Sequence, residues 1–316
     1  MNLIDRVAHR LKLRDLRLLD VVVRSRSMAK ASAQLNLTQP AVSKAIAELE
    51  HTLGVRLLDR SRQGIEPTAQ GAALLRRGAA IFDELRQGVS EIESLSDPTA
   101  GEVRILTSEP IAAGLLPTLI ARLARRYPQI AIHATQSPIA SLQHRVPQYR
   151  ELRDREVDLV LGPIISPFAE SDLVIEPLFE DPPIVVAGGR NQWARRRTLA
   201  LEELMEESWC LPPADTVAGA RCAEIFRASG LGLPRKKVIS VSVQLQIGLL
   251  ATQRFLSIVP SSLMAFSAKR FALKTLPIKS PLEPRTVGIV TLKNRTISPV
   301  VQLFIRTARE VATVMK

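Results

Sequence analysis

Ser27-Met28-Ala29-Lys30-Ala31-Ser32-Ala33-Gln34-Leu35-Asn36-Leu37-Thr38-Gln39-Pro40-Ala41-Val42-Ser43-Lys44 is the stretch on which the reading of this chain turns. A short helix is expected from about Met28 to Leu35, a tight turn at Asn36-Leu37, and a further helix opened by Thr38. The Thr38 hydroxyl can accept from the unbonded N–H groups of that helix's first turn. Pro40 falls in the same turn, where a missing N–H costs nothing. Val42, Ile46, Leu49 and Leu53 then share one face and should pack inward. The opposite face carries Gln39, Ser43, Lys44 and Ala47, small or hydrogen-bonding groups of the kind that fit a major groove.

Upstream, Leu13, Leu16, Leu19 and Val23 recur at helical spacing and predict an amphipathic helix that stops near Arg24-Ser25-Arg26-Ser27. Downstream, Gly54 to Thr68 reads as a β-hairpin with a polar, arginine-bearing tip, and Gly64 suits a turn of positive φ. Arginines at such a tip reach phosphates or a minor groove. A long helix follows from Thr68 to about Leu95. Its positions Leu75, Gly78, Phe82, Leu85, Val89 and Ile92 form a heptad-like seam that predicts pairing with a second copy.

The ordered series Ser27 to Glu50, Leu53-Gly54-Val55-Arg56-Leu57-Leu58-Asp59-Arg60 and Pro67-Thr68-Ala69-Gln70-Gly71 resembles the winged helix-turn-helix of LysR-type transcriptional regulators. Ser32 departs from the family's more usual alanine. The resemblance implies DNA contacts from Thr38, Gln39, Pro40, Ser43 and Lys44 on the recognition helix, and from Arg56, Arg60 and Arg62 on the wing.

Beyond the turn-rich Ser96 to Gly101, apolar runs alternate with helical stretches. Strands are expected at Val103–Thr107, Ile130–Thr135 and Val157–Gly162, then at Ile184–Ala187, Trp209–Leu211, Val238–Val241, Leu256–Val259 and Val287–Leu292. Helices are expected over Ser108–Tyr127, around Leu142–Arg153, over Ala218–Ser229 and Ser242–Thr252, and from Ser298. Leu115-Leu116-Pro117, Tyr127-Pro128, Glu156-Val157-Asp158-Leu159 and Ile258-Val259-Pro260 resemble landmarks of the family's two-lobed, periplasmic-binding-protein-like effector domain. Ala251-Thr252-Gln253-Arg254-Phe255 departs from it, standing where many members have a glycine-rich turn.

The fold class expected is therefore α/β overall. Residues 1–67 form a winged helix-turn-helix and 68–95 a linker and dimerisation helix. Residues 102–316 form the effector domain, with lobe I at about 102–182 and 286–316 and lobe II at about 183–285. Ligands in such lobes sit beyond the carboxyl ends of strands, near helix N-termini. That rule selects Thr107, Ser108, Gln136, Ser137, Asp215, Thr216 and Ser242 as effector-binding candidates. Asp215 speaks against a simple dianion and leaves a sugar or an amino acid open.

Composition is consistent with this. The chain's 316 residues carry 43 Lys+Arg against 31 Asp+Glu, a formal +12, which favours a polyanionic partner. Neither a signal peptide nor a membrane span is readable, so a cytoplasmic location is expected. Catalytic motifs are absent: there is no P-loop, Gly-x-Gly-x-x-Gly or Gly-x-Ser-x-Gly, and His9, His51, His133 and His144 are scattered. No enzyme activity, cofactor or metal is expected. Expected partners are double-stranded DNA carrying an interrupted palindromic operator, a small-molecule effector, and a second copy of the chain in a homodimer. The resemblance adds a tetramer built as a dimer of dimers, and RNA polymerase is a further candidate. A redox switch through Cys210 and Cys222 and a ligand-independent DNA-binding protein are the alternatives.

Overall fold

The computed structural model describes residues 10–61, 64–97, 99–136, 149–164 and 171–315. It divides into two compact units, residues 1–88 and 89–316.

The first unit opens with α1 (Leu13–Ser25), α2 (Met28–Leu35) and α3 (Gln39–Leu53). Local chemistry sets their limits. The Lys12 N–H donates to the Asp15 carboxylate at 3.0 Å, and the Ser27 and Thr38 hydroxyls accept from Lys30 N and Ala41 N. Arg26, Asn36 and Gly54 end the three helices in the left-handed region. Leu16, Leu19, Val22, Ala31, Val42, Ile46 and Leu49 are buried, while Leu13 turns outward. Ser32 is also buried, its hydroxyl donating to Ala29 O at 2.8 Å, so the departure from alanine is absorbed without an orphaned polar atom. Strands β1 (Leu58–Ser61) and β2 (Gly64–Pro67) pair antiparallel, Asp59 opposite Glu66.

Helix α4 (Ala69–Ser96) starts where Thr68 Oγ1 donates to Arg56 O and accepts from Gly71 N. A Cβ on Gly71 would lie 2.0 Å from Leu57 O, so only glycine lets this helix approach the wing so closely. The expected seam divides along its length. Leu75 packs on the helix-turn-helix core and Gly78 faces Leu16. Leu85, Val89 and Ile92 stay exposed and are joined by Ile81 and Leu95.

The second unit holds two mixed sheets. The first has the order β4-β3-β5-β12-β6, from β3 (Gly101–Thr107), β4 (Ile130–Gln136), β5 (Leu159–Pro163), β6 (Leu173–Asp181) and β12 (Arg285–Leu292). β3 runs parallel to β4 and β5, and β12 antiparallel to β5 and β6. Helices α6 (Leu115–Arg126) and α11 (Pro299–Ala312) cover one face through Leu115, Leu119, Leu123 and Phe304. The short α7 (Arg150–Arg153) puts Leu152 into a cluster with Leu106, Val157, Leu173 and Val290.

The second sheet has the order β11-β7-β10-β8-β9, from β7 (Pro183–Gly188), β8 (Ser208–Leu211), β9 (Lys237–Ile239), β10 (Phe255–Pro260) and β11 (Leu273–Thr275). Its helices are α8 (Val217–Ala228), α9 (Val243–Ala251) and α10 (Ser261–Phe271). Trp209 meets Phe226 edge-to-face at 5.2 Å in its core.

Four features differ from the sequence reading. The helix expected over Ser108–Tyr127 is two pieces, α5 (Glu109–Ala113) and α6, because Gly114 is pressed against Ser262 O and Leu263 Cα, each 3.1 Å from where a Cβ would sit. β6 was not expected, since Glu176, Pro177 and Glu180 break its apolar pattern. Pro177 sits at a register shift of an edge strand, where a missing N–H is tolerated. α10 and β11 were also not expected. Finally, Gln253 adopts φ 67° where glycine is usual. Its side-chain oxygen accepts from Arg190 N and its carbonyl from Asn191 Nδ2, and these bonds hold the turn. Of the helix expected around Leu142–Arg153, residues 142–148 lie outside the described residues.

Asp158 anchors the base of the first sheet. It accepts from Arg104 N and Arg104 Nη2, each at 2.7 Å, and from Arg295 Nη2 at 2.6 Å, while Arg295 Nη1 donates to Val157 O. With Asp158 and Arg295 each 8% exposed, this is a buried charge pair with multiple hydrogen bonds.

Candidate nucleic-acid interface and regulatory cleft

α3 presents its outer face uncovered. Gln39, Pro40 and Lys44 are exposed and Ser43 is half-buried, whereas Val42, Ile46 and Leu49 on the other face are inside. Thr38 is the N-cap and is exposed as well. Lys44 lies 3.9 Å from Glu48, but both side chains are more than two-thirds exposed, so the pair is weak and the ammonium can swing away. At the wing Arg56 and Arg60 are exposed; Arg62 lies outside the described residues.

Glu50 holds wing and helix together. Its carboxylate accepts from Leu57 N at 2.7 Å and Leu58 N at 3.2 Å, at the foot of β1. Arg26 O accepts from Ile65 N and fastens the other strand. Sequence reasoning gave Glu50 no role, although a carboxylate near the end of a helix that precedes a hairpin was the available signal. Arg10, Lys12, Arg14 and Lys44, against Asp15 and Glu48, also line a recess of about 500 Å³ beside α3, an excess of positive charge next to its outer face.

In the second unit, chain order reverses beside β3 in one sheet and beside β8 in the other, the topological position at which α/β sheets open a crevice. Ser108 follows β3 opposite Gly162 of β5, and its Oγ is buried with no hydrogen-bond partner among the described residues. Glu109, the first residue of α5, extends a carboxylate from the first lobe to the second and accepts from Val243 N at 2.9 Å, at the first turn of α9. Ser242 caps α9 through Leu245 N.

The other candidates behave differently. Thr107 is buried and its hydroxyl donates to Leu161 O, a bond between strands. Thr216 donates to Pro213 O and accepts from Gly219 N, so its hydroxyl is engaged in capping α8. Asp215 and Gln136 are exposed, and Ser137 lies outside the described residues. The geometry thus joins Ser108 and Ser242 through Glu109. Sequence reasoning missed Glu109, because its partner is 134 residues away.

Both cysteines are buried and unpaired. Burial pushes the Cys222 thiol up to about 12 against a weaker opposing pull from Arg221, and burial raises Cys210 as well. Burial thus keeps both thiols protonated at neutral pH, whereas thiol redox chemistry runs through the thiolate. Among the described residues no group of three or more His, Cys, Asp or Glu is placed to hold a metal ion. No helix there is long and apolar enough to cross a membrane.

Comparison with known proteins gives two family matches. Residues 13–72 match the bacterial regulatory helix-turn-helix protein family of lysR type, and residues 96–313 match the LysR substrate binding domain. The chain is 28% identical over 295 residues to the HTH-type transcriptional regulator GbpR of Azospirillum brasilense, covering 92% of this chain and 83% of that protein. It is 27% identical over 290 residues to TdcA of Escherichia coli, covering 92% and 89%. A full-length OxyR variant from Pseudomonas aeruginosa superposes with a TM-score of 0.64 at 20% identity, covering 98% and 96%. Full-length CbnR in complex with its target DNA gives 0.52 at 20% identity, covering 96% and 100%. At these identities the two structures speak for the fold alone.

Proposed function

Because the chain belongs to the LysR family, and is therefore a DNA-binding transcriptional regulator rather than an enzyme, we propose that it reads an interrupted palindromic operator as a homodimer and answers to a small molecule held between its two lobes. The uncovered outer face of α3 carries the reading. Gln39 is suited to an adenine edge, Ser43 to a base or phosphate, and Lys44 to a guanine or phosphate. Thr38 and Pro40 bring the first turn against the duplex, and Arg56, Arg60 and Arg62 hold the backbone beside it. The exposed seam Ile81, Leu85, Val89, Ile92 and Leu95 supports pairing of two chains, and pairing fixes the half-site spacing. A dimer of dimers and contact with RNA polymerase extend the same reading, as does a cytoplasmic location.

Ser108 supports the effector role, because a buried hydroxyl without a partner beside a crevice is matched by a ligand's polar group. Ser108 is assigned to the ligand, and Ser242, whose hydroxyl caps α9, stands with it as a candidate. Gln136, Ser137 and Asp215 are assigned to the ligand as further candidates, and the Thr107 and Thr216 hydroxyls hold the backbone at their strand end and helix start. The redox alternative is disfavoured by the protonated, buried thiols.

A genome-wide footprint of the purified chain tests the proposal. Discrete sites with two half-sites about one helical turn or a multiple of it apart are expected. Uniform protection of all sequences would overturn it.

A further inference from the structure

We infer that Glu109 acts as the chain's own anion at the first turn of α9. The cleft is therefore closed to carboxylate effectors at that point and takes its ligand through hydrogen-bond donors. The inference rests on the effector-binding reading above.

A helix N-terminus carries unbonded N–H groups and a partial positive charge, which is why strand-end crevices so often hold anions. Here that position is filled from within. Glu109 Oε1 accepts from Val243 N at 2.9 Å, Ser242 Oγ accepts from Leu245 N, and Ser242 O accepts from Gln246 N. A ligand carboxylate could reach α9 only by displacing Glu109 or by lying against a fixed like charge. The carboxylate is also held in place. α5 is confined at its far end, where Gly114 abuts Ser262 and Leu263 of the second lobe, and Pro110 stiffens its first turn.

What Glu109 offers a ligand is an acceptor. Glu109 Oε2 makes no hydrogen bond among the described residues, and Ser108 Oγ beside it in sequence is buried and without a partner. An ammonium or hydroxyl group can donate to Glu109 Oε2, which a carboxylate cannot; the Ser108 hydroxyl both donates and accepts, and so leaves that discrimination to Glu109. The same bond spans the two lobes, so a donor that engages Glu109 acts on the contact that joins them.

The test is hydrogen–deuterium exchange of the full chain, followed on the peptide covering residues 242–246, in sodium acetate and in sodium chloride of equal ionic strength. In the wild type, acetate is expected to change nothing. In Glu109→Ala, exchange of this peptide is expected to rise roughly tenfold, the fold-change of one lost charge-assisted hydrogen bond. Acetate is then expected to restore protection by filling the vacated place. Wild-type protection by acetate would overturn the inference, and so would unchanged exchange in Glu109→Ala. If Glu109→Ala exchanges quickly everywhere and so has failed to fold, the near-isosteric Glu109→Gln decides. Faster exchange confined to this peptide upholds the inference, and exchange equal to wild type sinks it. Neither operator nor effector enters the measurement, so a chain whose DNA binding no small molecule alters would refute the effector reading without touching this result.

Discussion

Among the described residues, the side-chain hydrogen bonds that shape the DNA-binding unit join residues no more than twelve apart, whereas several that shape the regulatory unit join residues far apart in the chain. Thr38 caps α3 three residues on, Glu50 reaches Leu57 and Leu58, and Thr68 reaches back twelve residues to Arg56. In the second unit Glu109 meets Val243 across 134 residues, Arg295 meets Asp158 across 137, and Asp181 caps α10 through Ser262 across 81. Local bonds leave the outer face of α3 bare: Gln39 is exposed, and Lys44 makes only the weak, exposed pair with Glu48. In the second unit polar side chains at strand ends and helix starts also hold the fold, as Thr107 and Thr216 do. Substitutions in the first unit should therefore alter binding with little change in folding, and substitutions in the second should alter folding first.

The sharpest break of that contrast is Asp158→Ala. It removes the buried carboxylate that Arg295 and Arg104 share and is expected to lower the stability of the second unit by about 3–5 kcal/mol, read as a lower urea midpoint. Ile92→Glu comes next. It places a charge on the exposed seam of α4 and should weaken self-association by about 2 kcal/mol, seen by sedimentation as a shift to monomer with an unchanged melting temperature. A fully dimeric variant would show that the seam is not the pairing surface. Gln39→Ala should weaken operator binding by about 1–3 kcal/mol while sparing random duplex, and equal losses on both would mean that the face reads no bases. The smallest effect belongs to Arg60→Ala. It should weaken all sequences alike and reduce the salt slope by about one ion, measured by titration at several ionic strengths.

The same contrast explains what the sequence made legible. Helix limits in the first unit follow from Ser27, Asn36, Thr38 and Gly54, whose propensities act on their own turns and can be read without a partner. The alternating sheets of the second unit were legible because apolar runs mark strands wherever they pair. β6 was not, because its Pro177 is tolerable only at an irregular edge, a fact of pairing rather than of composition. The break at Gly114 depends on the approach of α10 from about 150 residues away, and the α4 seam was misjudged at its start because Leu75 and Gly78 are covered by the helix-turn-helix itself. Among the site residues, the bare face of α3 was readable from periodicity. Glu109 was not, since nothing in its neighbourhood announces Val243.

The bareness of α3's outer face has a bearing on descent. If that face reads the operator as proposed, its address is written in side chains that carry little of the fold, and exchange at Gln39, Ser43 or Lys44 would rewrite it without prior compensating changes elsewhere. Gene duplicates could thus come to govern new promoters in single steps, whereas a new inducer would demand coordinated change on both sides of the cleft.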